Sequence, residues 1–251
     1  MTIEQSDAVQ TPPQPFLPEA QVRVPNTNTW PYNAIGLLLM RWSDGNVYGG
    51  TGALIGPSLV VTCSHNLVDQ APAAGQATSI DFYRAYDGVH PVAPIAVRAG
   101  FFSNLYRGGQ DAWDIALCRL SAPVAPPNPP LPPIVYFSPR VTGAEIVGEF
   151  THLAGYPGNK NGEMWVDYDQ VDGVHVPTNT MLYTHDTFGG DSGSPVWTYD
   201  PDDGVYFQHG VHVSRTPGTE LRRAVLFTRP VVDWIRNAAN QPIPPGLLRG
   251  L

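Results

Sequence analysis

The stretch Gly189-Gly190-Asp191-Ser192-Gly193-Ser194-Pro195-Val196-Trp197 decides how this chain is read. Glycines on both sides of Ser192 let the backbone turn tightly and let a carbonyl group approach the main chain. In such a turn the amides of Gly190 and Ser192 point at one spot, the arrangement that stabilises a developing oxyanion. A β run follows, not a helix. On this stretch alone a glycine-rich β-turn with an incidental serine remains open.

A serine hydroxyl is a poor nucleophile without a base. Val60-Val61-Thr62-Cys63-Ser64-His65-Asn66 supplies a candidate. His65 follows an apolar β run where the chain leaves the strand, and an imidazole there can titrate near the working pH. The ring needs an orienting carboxylate. Asp114 opens Asp-Ile-Ala-Leu-Cys-Arg-Leu at the mouth of a buried strand and is favoured over Asp111, whose Gln-Asp-Ala-Trp context resembles a solvated loop. The order His65, Asp114, Ser192 matches chymotrypsin-like enzymes; subtilisin-like enzymes run Asp, His, Ser, and α/β-hydrolases Ser, Asp, His.

Around these residues the chain reads as mostly β. Its 27 prolines and 25 glycines lie between short apolar runs. The expected strands include Ala34–Trp42, Gly52–Ile55, Leu59–Thr62, Ile115–Leu120, Glu145–Ala154, Glu163–Asp169, Val196–Tyr199, Val205–Val213 and Ala224–Thr228. Ser43-Asp44-Gly45-Asn46, Asp172-Gly173 and Asp202-Asp203-Gly204 read as hairpin turns. Residues 1–21 read as a flexible arm, and the proline-dense stretch 122–133 as a stiff connector between two strand groups, 22–121 and 134–228. One helix is expected in the tail 229–251, with Thr228 as N-cap, Pro230 in its first turn and Pro242 as its stop. The architecture expected is all-β, two antiparallel barrels with a C-terminal helix.

The net charge of −8 argues against nucleic acid or an acidic membrane as partner. No apolar run is long enough to span a membrane. The first residues lack the pattern of a secretory signal peptide. A cytoplasmic protein is expected if Met1 is the true start, and a secreted one if the natural chain begins earlier. Cys63 and Cys118 read as two buried small hydrophobes rather than a disulfide framework. Asp167, Asp169 and Asp172 fail the EF-hand spacing and read as a solvated hairpin edge. No metal or organic cofactor is implied.

At this point the chain resembles the trypsin/chymotrypsin superfamily, and within it the glutamyl endopeptidase (V8-like) branch. The resemblance covers about residues 22–238. It rests on Val24-Pro25-Asn26-Thr27, Trp30 to Ile35, Gly52 to Pro57, Gly155-Tyr156-Pro157-Gly158, Asp186-Thr187-Phe188-Gly189-Gly190 and Gly210-Val211-His212. It implies two six-stranded barrels, and a monomer that cuts polypeptides after glutamate, less readily after aspartate. It places Thr187 and His212 in the primary specificity pocket, where a hydroxyl and an imidazole suit a buried carboxylate. Asp186, six residues before Ser192, complicates this, since a carboxylate at that offset selects Arg or Lys in trypsin-like enzymes. Cleavage after Arg or Lys, an esterase, and a binding module on the same fold are the competing readings.

The chain also departs from that pattern. The cysteine that usually follows the histidine is Asn66, and its partner near Gly50 is missing, so the disulfide beside the active site is lost, which fits a reducing compartment. Arg215 replaces a glycine often found on the substrate-binding strand. Asp191 is trypsin-like; in such enzymes it pairs with a new N-terminal amine, so either the arm must be cut or another cation serves.

Overall fold

The computed structural model describes residues 21–68, 75–106, 111–125, 133–216 and 218–251. The expected arm, except Gln21, and the 126–132 part of the expected connector lie outside the described residues. The described chain opens with a two-residue strand, β1 (Val22–Arg23). The first barrel follows as β2 (Ile35–Trp42), β3 (Val47–Gly56), β4 (Leu59–Thr62), β5 (Ala77–Arg84), β6 (Ile95–Phe102) and β7 (Ala116–Leu120). These six pair antiparallel in the order β6-β5-β2-β3-β4-β7, and a β6–β7 pairing closes the ring.

After β8 (Ser138–Pro139) comes the second barrel: β9 (Phe150–Gly155), β10 (Trp165–His175), β11 (Thr180–Tyr183), β12 (Pro195–Asp200), β13 (Val205–Arg215) and β14 (Arg222–Leu226). Its order is β10-β11-β14-β13-β12-β9, closed by β10–β9. Helix α1 (Arg229–Asn240) and strand β15 (Leu248–Gly250) end the chain. Closure pairs every barrel strand on both sides, leaving few edges to protect.

The ends of the chain cross over. β1, expected with the first barrel, adds to β10 of the second, while β15, expected in a tail, pairs parallel with β6 of the first. Each short segment satisfies backbone groups on a strand of the opposite barrel.

Local chemistry explains the turns. Between β2 and β3, Gly45 has φ +88° and the Asp44 carboxylate accepts the Asn46 amide at 2.9 Å, an Asx turn. Asp172-Gly173 is not a turn; it forms an irregularity inside β10, where the register shifts between Val171 and Gly173. The reversal comes later, after Val176–Thr178, at Asn179 with φ +50°. The expected strand from Glu145 begins only at Phe150, because Ala144–Ile146 form a short 3-10 helix and Gly148 takes φ +83°.

Two core clusters join the barrels. One combines first-barrel residues such as Leu38, Leu54 and Phe82 with Ala154, Tyr156 and Trp197 of the second. The other packs Val61, Phe101 and Leu117 against Val211, Val225 and Phe227, roofed by Val231, Val232, Ile235 and Ala238 of α1. Each buried aliphatic side chain of this kind contributes about 1.5–3 kcal/mol. Helix α1 thus clamps both barrels together. Thr228 precedes it, but its hydroxyl donates to Asn179 Oδ1 at 2.6 Å instead of capping the first turn.

Candidate active site

His65 lies in a 3-10 turn (Ser64–Asn66) at the end of β4. The neighbouring Ser64 hydroxyl donates to the Ile115 carbonyl at 2.7 Å, which ties this turn to the start of β7. Asp114 is 3% exposed. Its Oδ2 is 2.6 Å from His65 Nδ1, and its Oδ1 accepts the His65 amide at 2.9 Å. Two bonds from one carboxylate fix both the ring and the backbone that carries it. Asp111, the rival, is engaged elsewhere: it pairs with Arg223 at 2.8 Å and accepts the Ser214 hydroxyl at 2.9 Å.

Burial disfavours the His65 imidazolium, but the adjacent Asp114 carboxylate, with a smaller contribution from Cys63, outweighs it and holds the ring's pKa well above 6.5. The other ring nitrogen, Nε2, lies 3.5 Å from the thiol of Cys63. Cys63 and Cys118 are both buried and free. Burial raises both thiols, Cys118 to about 12. Cys63 therefore does more than fill space, since it touches the candidate base.

The loop carrying Ser192 is held by the first barrel. Thr51 of β3 donates its amide to the Ser192 carbonyl at 2.8 Å and its hydroxyl to the Gly190 carbonyl at 2.9 Å. Asn66 Nδ2, one residue from the base, also donates to the Ser192 carbonyl at 3.0 Å. A Cβ on Gly50 would strike the Asn66 side chain at 2.6 Å, so this carboxamide fills the space between the two positions where the resemblance leads one to look for a disulfide. Gly193, at φ +94°, is a necessity: a Cβ there would come within 2.0 Å of the Thr51 carbonyl. Gly190, at φ +105°, is also closely packed: a Cβ there would come within 2.4 Å of the Tyr156 carbonyl.

Neither the Gly190 amide nor the Ser192 amide has a partner among the described residues. The Gly189 carbonyl accepts the Gly158 amide at 2.6 Å. Because a trans peptide points its N–H opposite to its C=O, the Gly190 N–H is directed away from Gly158. Two unengaged donors thus flank the serine. No hydrogen bond joins Ser192 Oγ to His65 among the described residues; such bonds commonly tighten only when substrate is bound.

His212 sits on β13 with its amide donating to Ser194 and its carbonyl accepting from Gly193, both at 2.9 Å. The Tyr183 hydroxyl is 2.8 Å from His212 Nδ1. Burial, with a contribution from the Arg222 charge, lowers His212 to about 3, so the ring is neutral at working pH. Burial also pushes Tyr183 well above 10. Among the described residues the buried Tyr183 hydroxyl has no other acceptor, so it donates to Nδ1 and leaves the His212 proton on Nε2. Thr187 is half-buried, and its hydroxyl oxygen accepts from Arg222 Nε at 3.1 Å. The Asp186 amide donates to Asp167 at 2.8 Å, and its carbonyl accepts from Gln21 at 2.9 Å. Asp167 is not on a solvated edge: it is 6% exposed and lies 3.2 Å from buried His185.

Among the described residues, Asp191 is joined to no amine and no other cation. Its Oδ2 accepts the Phe188 amide at 2.9 Å and the Gln21 carboxamide at 3.1 Å, while its Oδ1 is buried without a partner. Gln21, expected at the end of a loose arm, is only 4% exposed. Burial raises the Asp191 pKa to about 7. A raised carboxylate pKa means the folded state holds the proton longer, so stability declines as pH rises from about 4 to about 7. Asp191→Asn is therefore expected to raise the melting temperature by a few degrees at about pH 8 and to change it little at about pH 4. A lower melting temperature at the higher pH would show that the buried charge is compensated.

Tyr183, Arg222, Gln21 and Thr51 act across strands or between barrels, and none stands in a recognisable local string; Asn66 stands beside the candidate base, but its bond to the Ser192 carbonyl spans the two barrels.

Three comparisons with known proteins bear on the family and the fold. The family model for a trypsin-like peptidase domain matches residues 50–204. Glutamyl endopeptidase of Bacillus licheniformis is 26% identical over 229 residues, which are 88% of this chain and 67% of that protein. A Bacillus subtilis protein named extracellular metalloprotease is 26% identical over 230 residues, 89% of this chain and 69% of that protein. A solved structure of a Glu endopeptidase in complex with MPD superimposes with a TM-score of 0.73 at 23% identity, covering 89% of this chain and 98% of that one. With two closed barrels and a family match over more than half its length, the chain belongs to the trypsin-like peptidase family and is a serine-type endopeptidase.

Proposed function

We propose that the enzyme cuts polypeptides after glutamate, or less readily aspartate, with Ser192 as nucleophile, His65 as base and Asp114 as the carboxylate that orients it. The observation that carries the catalytic part is the pair of hydrogen bonds that Asp114 makes to His65, through Nδ1 and the amide. It leaves Nε2 as the proton acceptor. Ser192 attacks the peptide carbonyl while His65 takes its proton. The Gly190 and Ser192 amides hold the oxyanion, and His65 returns the proton to the leaving amine. Water then hydrolyses the acyl-enzyme by the same route.

The specificity part rests on His212. A neutral imidazole with its proton on Nε2 is a hydrogen-bond donor, as an acidic side chain requires, and Thr187 supplies a second. Profiling a peptide library tests this: glutamate should dominate the position before the cut, and a clear Arg or Lys preference would overturn the reading. His212→Phe should lower kcat/KM on glutamyl peptides by roughly 10- to 100-fold, the worth of a hydrogen bond to a charged group. Active-site labelling should be unchanged.

One relative is named a metalloprotease. Among the described residues, the group able to hold a metal is Cys63, His65 and Asp114, with ligand atoms within 4.8 Å of one another. Two of these are the proposed base and its carboxylate. Turnover that survives a chelator and is blocked by a fluorophosphonate separates the serine mechanism from a metal-dependent one.

A further inference from the structure

The Nε2–H of His212 and the hydroxyl of Thr187 can bond the amide oxygen of glutamine as well as the carboxylate of glutamate, though the charged acceptor bonds more strongly. A positive charge beside these donors separates the two side chains further, and the structure puts one next to Thr187.

Arg222 lies on β14 opposite Arg215 of β13 and is 6% exposed. Its Nε donates to Thr187 Oγ1 at 3.1 Å, and its Nη1 donates to the Glu220 carbonyl at 2.6 Å. Both acceptors are neutral oxygens. The Glu220 carboxylate is turned toward Arg215, at 3.7 Å. Asp186 and Glu220 are near enough for their fields to be felt at Arg222, yet no carboxylate among the described residues forms an ion pair with it. Burial lowers its pKa, but a guanidinium stays protonated in a protein. A buried cation without a paired anion is unfavourable, and an incoming carboxylate relieves that cost. The charge already reaches the pocket, since it acts on both His212 and Tyr183.

Resting on the pocket proposed above, we propose that Arg222 is a specificity-determining residue that reads the negative charge of the substrate side chain before the cut bond. Thr187 links the two: its oxygen accepts from Arg222, so its single hydrogen is left to donate into the pocket. The planar guanidinium fork suits a carboxylate better than an ammonium would.

The test compares kcat/KM on matched peptides carrying Glu or Gln before the cut, for wild type, Arg222→Gln and Arg222→Lys, with active sites counted by fluorophosphonate titration. Arg222→Gln should lower the Glu/Gln ratio by roughly 10- to 100-fold, mainly through the Glu peptide, and Arg222→Lys should keep an intermediate ratio. A wild-type ratio in titratable Arg222→Gln overturns this inference while leaving the pocket intact. A wild type indifferent to acidic side chains overturns the pocket reading itself, and with it this inference. If Arg222→Gln yields no titratable sites, Arg222→Lys decides: a ratio between one and that of wild type supports the charge, and a ratio near one removes it.

Discussion

Ser192→Ala is expected to lower kcat by about 10⁶-fold, the cost seen when the nucleophile of a Ser-His-Asp set is removed, and to abolish fluorophosphonate labelling. The fold should survive. The bonds that position residue 192 are made by its main chain: its carbonyl accepts from Thr51 and Asn66, and alanine keeps that carbonyl. A melting temperature equal to wild type would show that the loss is chemical. Some rate above the uncatalysed reaction should persist, because the Gly190 and Ser192 amides belong to the backbone and an oxyanion hole with binding alone retains about 10³–10⁴-fold. Labelling that persists in the alanine variant would move the nucleophile elsewhere.

Asp114→Asn is expected to cost about 10⁴ in kcat, the usual penalty when the orienting carboxylate becomes an amide. Asparagine keeps the shape but presents either a donor or an acceptor to Nδ1, and a donor there holds the imidazole in the wrong tautomer. The pH profile should move as well. The free enzyme needs neutral His65, so kcat/KM in wild type falls as pH drops through a value above 6.5. Without the carboxylate, burial, which disfavours the imidazolium, is opposed only by the Cys63 contact; the acid limb should shift to lower pH. The same pairing stabilises the fold below about pH 6.5, and that contribution is lost as pH rises through the folded value. An unmoved limb would mean that Asp114 does not set the proton affinity of His65.

Much of the fold was legible because its signals are local. Leu59–Thr62 is a strand as expected, Asp44-Gly45 turns the chain as its chemistry requires, and α1 buries the apolar stripe that its spacing predicts. The strands at Ala77–Arg84, Ile95–Phe102 and Thr180–Tyr183 were not read. The first two have apolar patterns broken by exposed polar residues such as Thr78, Ser79 and Arg98, and the third has only four residues, too few to show a period. Asp172-Gly173 misled for the opposite reason: a strong turn dipeptide was overruled by pairing on both sides of β10.

The candidate site divides along the same line. His65, Asp114 and Ser192 could be named from short strings and chain order, because each chemical role demands a residue type in a local setting. Gln21 beneath Asp191, Tyr183 behind His212 and Arg222 beside Thr187 have no such setting. Their roles arise where strands far apart in sequence are brought to hydrogen-bond distance, and where burial makes an unpaired charge or proton matter. Residue type and order thus point to the candidate chemistry, while packing across the barrels sets the hydrogen bonds and charges that surround it.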